Sequence, residues 1–286
     1  MSGIKSLALA SRTTGIIATF GSVVVAAALF LAFNGERVAA QTASQLTPLQ
    51  LEIEKQRNRL GFSETEERRD AVMRLGWMKR PESSRAAAPA LHDQAAIVRA
   101  TAARAILALP PEEAVALLLP NLRDPDEFVR QETAYALGET RSRTATGPLL
   151  NILGSDKKDS VRGAAAVALG QIGDEAAVLP LAELLGRRVP ASGVLNRVRR
   201  SKKDENEFVR RAAAHSLGEI RSRAALPALI ALLLDKRAPD DVRREAASSL
   251  GLIGDPGAIP ALNSVLDARD PYLSQTAREA ILKLTA

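Results

Sequence analysis

Six arginines recur along the chain at nearly constant spacing, and five of them stand in Val-Arg pairs. Acidic residues, including Asp126, Asp159, Glu207 and Asp240, lie a few positions before several of these arginines. A guanidinium binds a carboxylate or phosphate through two parallel hydrogen bonds, so the row could hold an anionic ligand. Because every repeat carries the same residue, we instead favour pairing of each arginine with an acid or helix-end carbonyl of the adjacent repeat. The predicted structural ladder consists of Arg68, Arg99, Arg130, Arg162, Arg210 and Arg243.

The positive charge of the chain is concentrated in one segment. The net charge is +6, residues 1–40 contribute +2, and segment 187–203 has seven basic residues and no acid, so the remainder is acidic. Val194, Leu195 and Val198 add apolar residues at helical spacing. The segment is predicted to bind an acidic protein partner or an anionic membrane surface; the alternative is a solvated loop without a role. Its candidate binding residues are Arg187, Arg188, Arg197, Arg199, Arg200, Lys202 and Lys203.

Residues able to hold a metal or act as a general base are scarce. The chain has no cysteine, and its two histidines, His92 and His215, stand in different repeats. Each is interpreted as a partly buried polar residue hydrogen-bonded to the backbone rather than as a catalyst. The sequence also lacks a glycine-rich phosphate loop and a Gly-x-Ser-x-Gly motif. We therefore predict no catalytic residues, no cofactor and no metal.

The elements that carry these residues repeat with a fixed period. The valines of the Val-Arg pairs lie 31, 32, 48 and 33 residues apart, and a Leu or Ile follows each by eight residues. Such a period predicts an all-α solenoid of about six to seven stacked helical hairpins. Gly138, Gly170, Gly218 and Gly251 are predicted to end the first helices in the left-handed conformation. Pro120, late in its second helix, predicts a kink or an early end.

Two departures from the period define the domain boundaries. The longest gap predicts a basic insertion at 187–203, between the second helix of repeat four and the first helix of repeat five. Before the repeats, Thr47 and Gln50 match a capping box for a helix from Pro48 to Leu60, and Ser63 with Glu66 matches a second. We expect a linker and cap helix at 41–62 and the repeat solenoid at 63–286.

The repeat units resemble HEAT repeats, specifically the short type found in phycobilisome lyases. The segments DEFVRQETAYALGE, KDSVRGAAAVALGQIGDEAAVLPLAELL and DDVRREAASSLGLIGDPGAIPALNSVL carry the resemblance, which covers about residues 64–286. The resemblance implies an armadillo-like helical scaffold, although the family also includes lyase subunits and deoxyhypusine hydroxylases. Those hydroxylases bind two irons through His-Glu dyads; here Gln131 precedes Glu132 and Ser216 follows His215.

The N-terminal residues predict export. Lys5 and Arg12 precede an uncharged run from Thr13 to Phe33, and Val38-Ala39-Ala40 matches a cleavage site before Gln41. Residues 1–40 are therefore interpreted as a signal peptide, with a retained anchor formed by residues 13–33 as the alternative. Both interpretations place the repeats outside the cytoplasmic membrane, in the periplasm or the extracellular space.

Together these features predict an exported, non-enzymatic scaffold that binds a protein partner. The alternative is a lyase-accessory or hydroxylase-like oxidoreductase relative that has lost the metal-binding dyads. Binding to nucleic acid is disfavoured, because the chain is predicted to be exported and only 3% of its residues are aromatic.

Overall fold

The computed structural model describes residues 46–190 and 202–285. These residues fall into two compact units, one ending at Lys55 and the other beginning at Gln56. Helix α1, Pro48–Arg59, begins at a capping box in which the Thr47 backbone N–H donates to Gln50 Oε1 at 2.8 Å. The predicted second box, with Ser63 and Glu66, is wrong, because α2 has Glu64 at its N-cap and no side-chain cap bond.

The second unit is an array of helical hairpins, which confirms the predicted all-α solenoid. The first helices of the repeats are α2 Thr65–Trp77, α4 Ala96–Ala105, α6 Glu127–Glu139, α8 Asp159–Ile172, α10 Glu207–Ile220, α12 Asp240–Ile253 and α14 Pro271–Thr285. The second helices are α3 Pro81–Ala87, α5 Pro111–Leu118, α7 Thr146–Ser155, α9 Val178–Leu185, α11 Leu226–Leu234 and α13 Ile259–Asn263. The early end predicted at Pro120 is confirmed, since α5 stops at Leu118 and a 3-10 turn spans Leu119–Arg123.

The first helices pack side by side in chain order, so each one contacts the first helices of the repeats before and after it. Their contact faces consist largely of alanine, valine and leucine. Val98, Val129, Val161, Val209 and Val242 are fully buried, as are the Leu residues that follow eight positions later in the last four of these repeats. Burying each Val or Leu side chain stabilises the fold by about 1.5–3 kcal/mol, which explains why the period is so well preserved.

The conserved spacing of glycine has a different cause from the one the sequence suggested. Gly138, Gly170, Gly218 and Gly251 lie inside the first helices rather than at left-handed ends, so that prediction is wrong. A Cβ atom added at Gly170 would lie 2.8 Å from Ser216 Cα of the next first helix. These glycines therefore allow neighbouring helices to approach closely.

The left-handed conformation occurs three residues after these glycines. Gly173 and Gly254 adopt positive φ after α8 and α12, and Arg221 does so after α10. Lys79 and Arg141 also have positive φ in the corresponding turns after α2 and α6. The chain thus reverses at the predicted places, although glycine is not used at every one of them.

The insertion begins and ends in a short ribbon. Strands β1 Arg188–Pro190 and β2 Lys202–Asp204 pair antiparallel, with Arg188 opposite Asp204. Residues 191–201, which include Arg197, Arg199, Arg200 and the three apolar residues predicted to form an amphipathic turn, lie outside the described residues.

None of the helices in the described ranges combines the length and hydrophobicity that a membrane-spanning helix requires. The predicted leader, residues 1–40, lies outside these ranges.

Candidate functional site

The row of arginines lies between the repeats. Arg99, on α4, donates from Nε and Nη2 to the two carboxylate oxygens of Asp124 at 2.7 and 2.8 Å. Its Nη1 donates to the carbonyl of Asp93 at 2.8 Å. Asp93 precedes α4 and Asp124 precedes α6, so one guanidinium connects the loops on both sides of its repeat.

The same bonding pattern occurs in the two neighbouring repeats. Arg68 donates to both carboxylate oxygens of Asp93 at 2.7 and 2.9 Å, and Arg130 donates to both oxygens of Asp156 at 2.7 and 3.2 Å. Each aspartate also accepts a backbone N–H two residues later, from Ala95, Asp126 or Lys158. Four consecutive repeats are therefore joined by three ion pairs of the same kind.

These pairs stabilise the charged form of their aspartates. Hydrogen bonds from Arg68 lower the pKa of the Asp93 carboxyl below its ordinary value. Burial opposes this effect for Asp124 and Asp156, but hydrogen bonds from Arg99 or Arg130 and from the backbone outweigh burial and lower both pKa values. The aspartates are thus anionic whenever the array is folded near neutral pH.

The ladder changes at the insertion. Arg162 donates from Nη2 to Asp159 and to Glu205, at 2.7 and 2.6 Å, and Glu205 stands where earlier repeats have aspartate. Arg243 donates to Asp240 and to the carbonyl of Leu233. Arg210 is buried, and its Nε has no hydrogen-bond partner among the described residues.

Of the four acids named from the sequence, Asp159 and Asp240 pair with ladder arginines, whereas Asp126 and Glu207 have other contacts. Asp126 caps α6 by accepting the backbone N–H of Phe128, whereas the pairing partner in that repeat is Asp124. Glu207 faces Asp241, which raises the pKa of Glu207 chiefly through their shared hydrogen bond. Asp93, Asp124 and Asp156 each stand six residues before a ladder arginine, and this fixed offset was the signal available in the sequence.

The base of the insertion is attached to the ladder. The Glu205 side chain is fully buried, and its Oε2 lies 3.8 Å from Arg187 Nη1. Glu205 N–H donates to the Arg187 carbonyl at 2.8 Å, and Arg187 Nη2 donates to the Gly154 carbonyl at 3.2 Å. Arg187 therefore helps to hold the base of the insertion in place, and the adjacent Arg188 is exposed. The side chains of Lys202 and Lys203 lie outside the described part of the chain.

The histidines do not converge. Both are exposed, so the expectation of partly buried residues bonded to the backbone is wrong. His92 lies at the end of a 3-10 turn, and His215 on α10 contacts the Glu245 carboxylate through Nδ1 at 2.9 Å. Gln131 and Glu132 occupy consecutive positions of α6. Across 46–190 and 202–285, no group of three or more His, Cys, Asp or Glu side chains is placed so that it could hold a metal ion.

A groove that sequence reasoning missed crosses the first three repeats. Its volume is about 890 Å³, and it is bounded by side chains of α2, α4 and α6. Trp77 and Phe128 stand on opposite sides of it, with 68% and 44% of their surfaces exposed. Two exposed aromatics in one groove form an apolar surface able to bind another molecule. The one signal in the sequence was the rarity of aromatic residues, which make up only 3% of the chain.

Comparison with known proteins identifies the repeats. The sequence profile described as HEAT repeats matches residues 57–138, 115–192 and 195–282, which together cover most of the chain. No match was found among curated protein sequences.

Solved structures resemble the fold. The YibA protein of Escherichia coli is 22% identical, with a TM-score of 0.55 and 82% of each chain covered. The complex of CpcE and CpcF of phycocyanin lyase from Nostoc is 22% identical, with a TM-score of 0.49, covering 84% of this chain and 95% of that one. Human deoxyhypusine hydroxylase is 21% identical, with a TM-score of 0.40, covering 82% of this chain and 84% of the hydroxylase. At these identities the similarity shows the fold alone.

Proposed function

Since this chain belongs to the HEAT-repeat family, we propose that it is an exported, non-enzymatic scaffold that binds a protein partner. The observation that carries the proposal is that the hydrogen bonds of the ladder arginines are made within the array. Arg68, Arg99 and Arg130 donate to an aspartate of the next repeat and to backbone carbonyls of the loop before their own helix. They hold repeats together, and binding is left to the outer surfaces of the array.

We propose that the partner is acidic and that it binds the basic insertion, residues 187–203. The geometry at the base supports this site, because Arg187 and Glu205 attach both ends of the insertion to buried groups of repeats four and five. Both ends of the basic segment therefore lie together, between repeats four and five. Arginine contacts to carboxylates would supply specificity, and they would weaken as salt screens the charges.

The experiment compares affinity capture by the wild-type chain and by two variants, using an envelope fraction. One variant replaces residues 191–201 with a short Gly-Ser turn and keeps the pair of Arg187 and Glu205. The other keeps the length but changes Arg197, Arg199 and Arg200 to Ser. The proposal expects one acidic protein that is enriched by the wild type, released by ~1 M salt and lost with both variants.

Three outcomes would contradict the proposal. Capture of the same protein by both variants would place the partner site elsewhere. Loss with the shortened variant alone, together with a large fall in melting temperature, would make the insertion structural. Flotation of the wild type with anionic phospholipid vesicles, abolished by the three Ser substitutions and without any captured protein, would replace the protein partner by a membrane surface.

Export is tested by mass spectrometry of the N-terminus of the protein from fractionated cells. We expect a mature chain beginning at or near Gln41 outside the cytoplasmic membrane. An intact N-terminus in the membrane fraction would favour the anchor, and full-length protein in the cytosol would contradict export altogether. Stoichiometric iron in the dialysed protein would contradict the non-enzymatic proposal and support the hydroxylase-like alternative.

A further inference from the structure

The groove across α2, α4 and α6 has the shape of a site for a helix. Its floor is α4, whose groove-facing residues Ala100, Thr101 and Ala105 are small. Its walls carry larger side chains, including Met73 and Trp77 on α2 and Phe128 on α6. Packed helices lie about 8–10 Å apart, so α2 and α6 lie about 16–20 Å from each other across α4. Subtracting a radius of about 5 Å for each wall helix leaves about 6–10 Å between the walls, so a bound helix would lie over the small floor and insert the side chains of one stripe between the walls.

The two walls differ in charge. Arg69 and Lys79 line the α2 side, whereas Glu132 and Glu139 line the α6 side. Arg104, which rises from the floor, lies 3.5 Å from Glu132 and 3.3 Å from Glu139, so the acidic wall already has a cation beside it.

The two cations on the α2 side of the groove have fewer acidic partners than Arg104 has. Arg69 approaches an acid at Glu66, which is highly exposed and lies 3.4 Å away. The buried Nε of Arg69 has no hydrogen-bond partner among the described residues, and Lys79 forms no ion pair there. The Arg69 side chain as a whole is 39% exposed, so its guanidinium is accessible to an incoming carboxylate.

We propose that this groove binds an amphipathic helix of the partner protein, with its apolar stripe on Trp77 and Phe128 and acidic side chains along the edge that faces Arg69 and Lys79. The inference rests on the proposed scaffold function and adds a second contact surface to it. Apolar residues spaced three and four apart would fill the groove, and the acidic edge would fix the direction and register of the helix.

The chain provides its own reporter, because Trp77 is its single tryptophan. The probe is a synthetic helical peptide of about 18 residues with leucines on one stripe, glutamates on one edge and no tryptophan. Titration into the full chain is expected to shift Trp77 emission to shorter wavelength and to saturate. Arg69→Glu and Lys79→Glu, measured separately, should each weaken binding about tenfold, and a peptide with lysine in place of glutamate should restore affinity for these variants.

The control variant is Tyr272→Ala, which removes an aromatic that is 65% exposed on α14, outside the groove. It should change the affinity by less than about twofold. The inference is overturned if Trp77 emission does not respond at about 1 mM peptide, or if the glutamate and lysine peptides bind the wild type equally. If the peptide fails while the insertion still captures an acidic protein, the groove assignment alone is wrong; if both fail, the scaffold function is wrong.

Discussion

At the residue scale, the effect of removing one partner from an arginine–carboxylate pair depends on how buried the pair is. Arg99 with Asp124 and Arg85 with Glu113 are both two-bond pairs with nitrogen–oxygen distances of 2.7–2.8 Å. The Asp124 side chain is 8% exposed, whereas that of Glu113 is 36% exposed. Loss of a carboxylate at the buried pair leaves a guanidinium with little access to water, and at the surface pair water takes its place.

Asp124→Ala is therefore expected to lower the free energy of unfolding by about 2–4 kcal/mol. The matched control, Glu113→Ala, should cost less than about 1 kcal/mol, because the Arg85 guanidinium becomes hydrated. Urea denaturation followed by circular dichroism measures both values. Equal losses in the two variants would show that the ladder contributes no more than an ordinary surface pair.

The lowered pKa values of Asp93, Asp124 and Asp156 predict a loss of stability in acid. An aspartate with a lower pKa in the folded than in the unfolded state stabilises folding above its unfolded pKa of about 3.9. This contribution disappears as the pH falls through the folded pKa. The difference in unfolding free energy between wild type and Asp124→Ala should be complete near pH 6 and smaller near pH 3. An equal difference at both values would contradict the assignment.

At the element scale, close packing of the first helices depends on pairs of small residues. Gly170 of α8 faces Ser216 of α10, whose Oγ donates to the Ala166 carbonyl of α8 at 2.8 Å. Gly218 and Ser249 repeat this arrangement between α10 and α12, where Ser249 Oγ donates to the Ala214 carbonyl. Glycine is a poor helix former, so it lowers the intrinsic stability of its own helix. The closer contact with the neighbouring helix offsets that cost.

Gly170→Ala should destabilise the array by about 1–3 kcal/mol, although alanine is the better helix former, because the new methyl group overlaps Ser216. Gly147→Ala, in α7, is the matched control, since an added Cβ there has no atom within 4 Å. The control should be neutral or stabilise by up to about 1 kcal/mol. Thermal unfolding of the two variants measures the contrast, and stabilisation by both would refute the packing role of Gly170.

At the scale of the whole molecule, the repeat unit contacts its neighbours and the array has no single shared core. Helix α14 covers α12 with Leu273, Ala277 and Ala280, which are buried. A cation–π contact adds to this junction, with Arg244 lying 5.6 Å from the centre of the Tyr272 ring. Stability in such an array is close to a sum over repeats and the interfaces between them.

Truncation after Arg269, which removes α14, should therefore act locally. Amide hydrogen exchange in α12 is expected to accelerate strongly, because its buried face becomes exposed to water. Exchange in α2 and α4 should stay within experimental error of the full-length chain. Mass spectrometry of deuterium uptake resolves the two regions. Faster exchange throughout the array would mean that the repeats unfold as one cooperative unit.

The fold could be predicted from the sequence because the signals that specify it are periodic and act between residues close together in the chain. The spacing of the Val-Arg pairs identified the hairpins, and the helix-stopping effect of Pro120 was predicted correctly, since proline removes a backbone donor whatever its surroundings. The aspartates of the ladder were also encoded, because Asp93, Asp124 and Asp156 each precede a ladder arginine by six residues. Each of these carboxylates pairs with the arginine of the preceding repeat.

Other features depend on which surfaces meet, and the tertiary structure alone decided them. A glycine near the end of a helix can terminate it or admit a neighbouring helix, and the position of Ser216 beside Gly170 selects the second role. Trp77 and Phe128 are 51 positions apart in the chain, so their position on facing walls follows from the stacking of three repeats. Local sequence specifies backbone conformation, whereas grooves and close contacts arise when elements distant in the chain pack together.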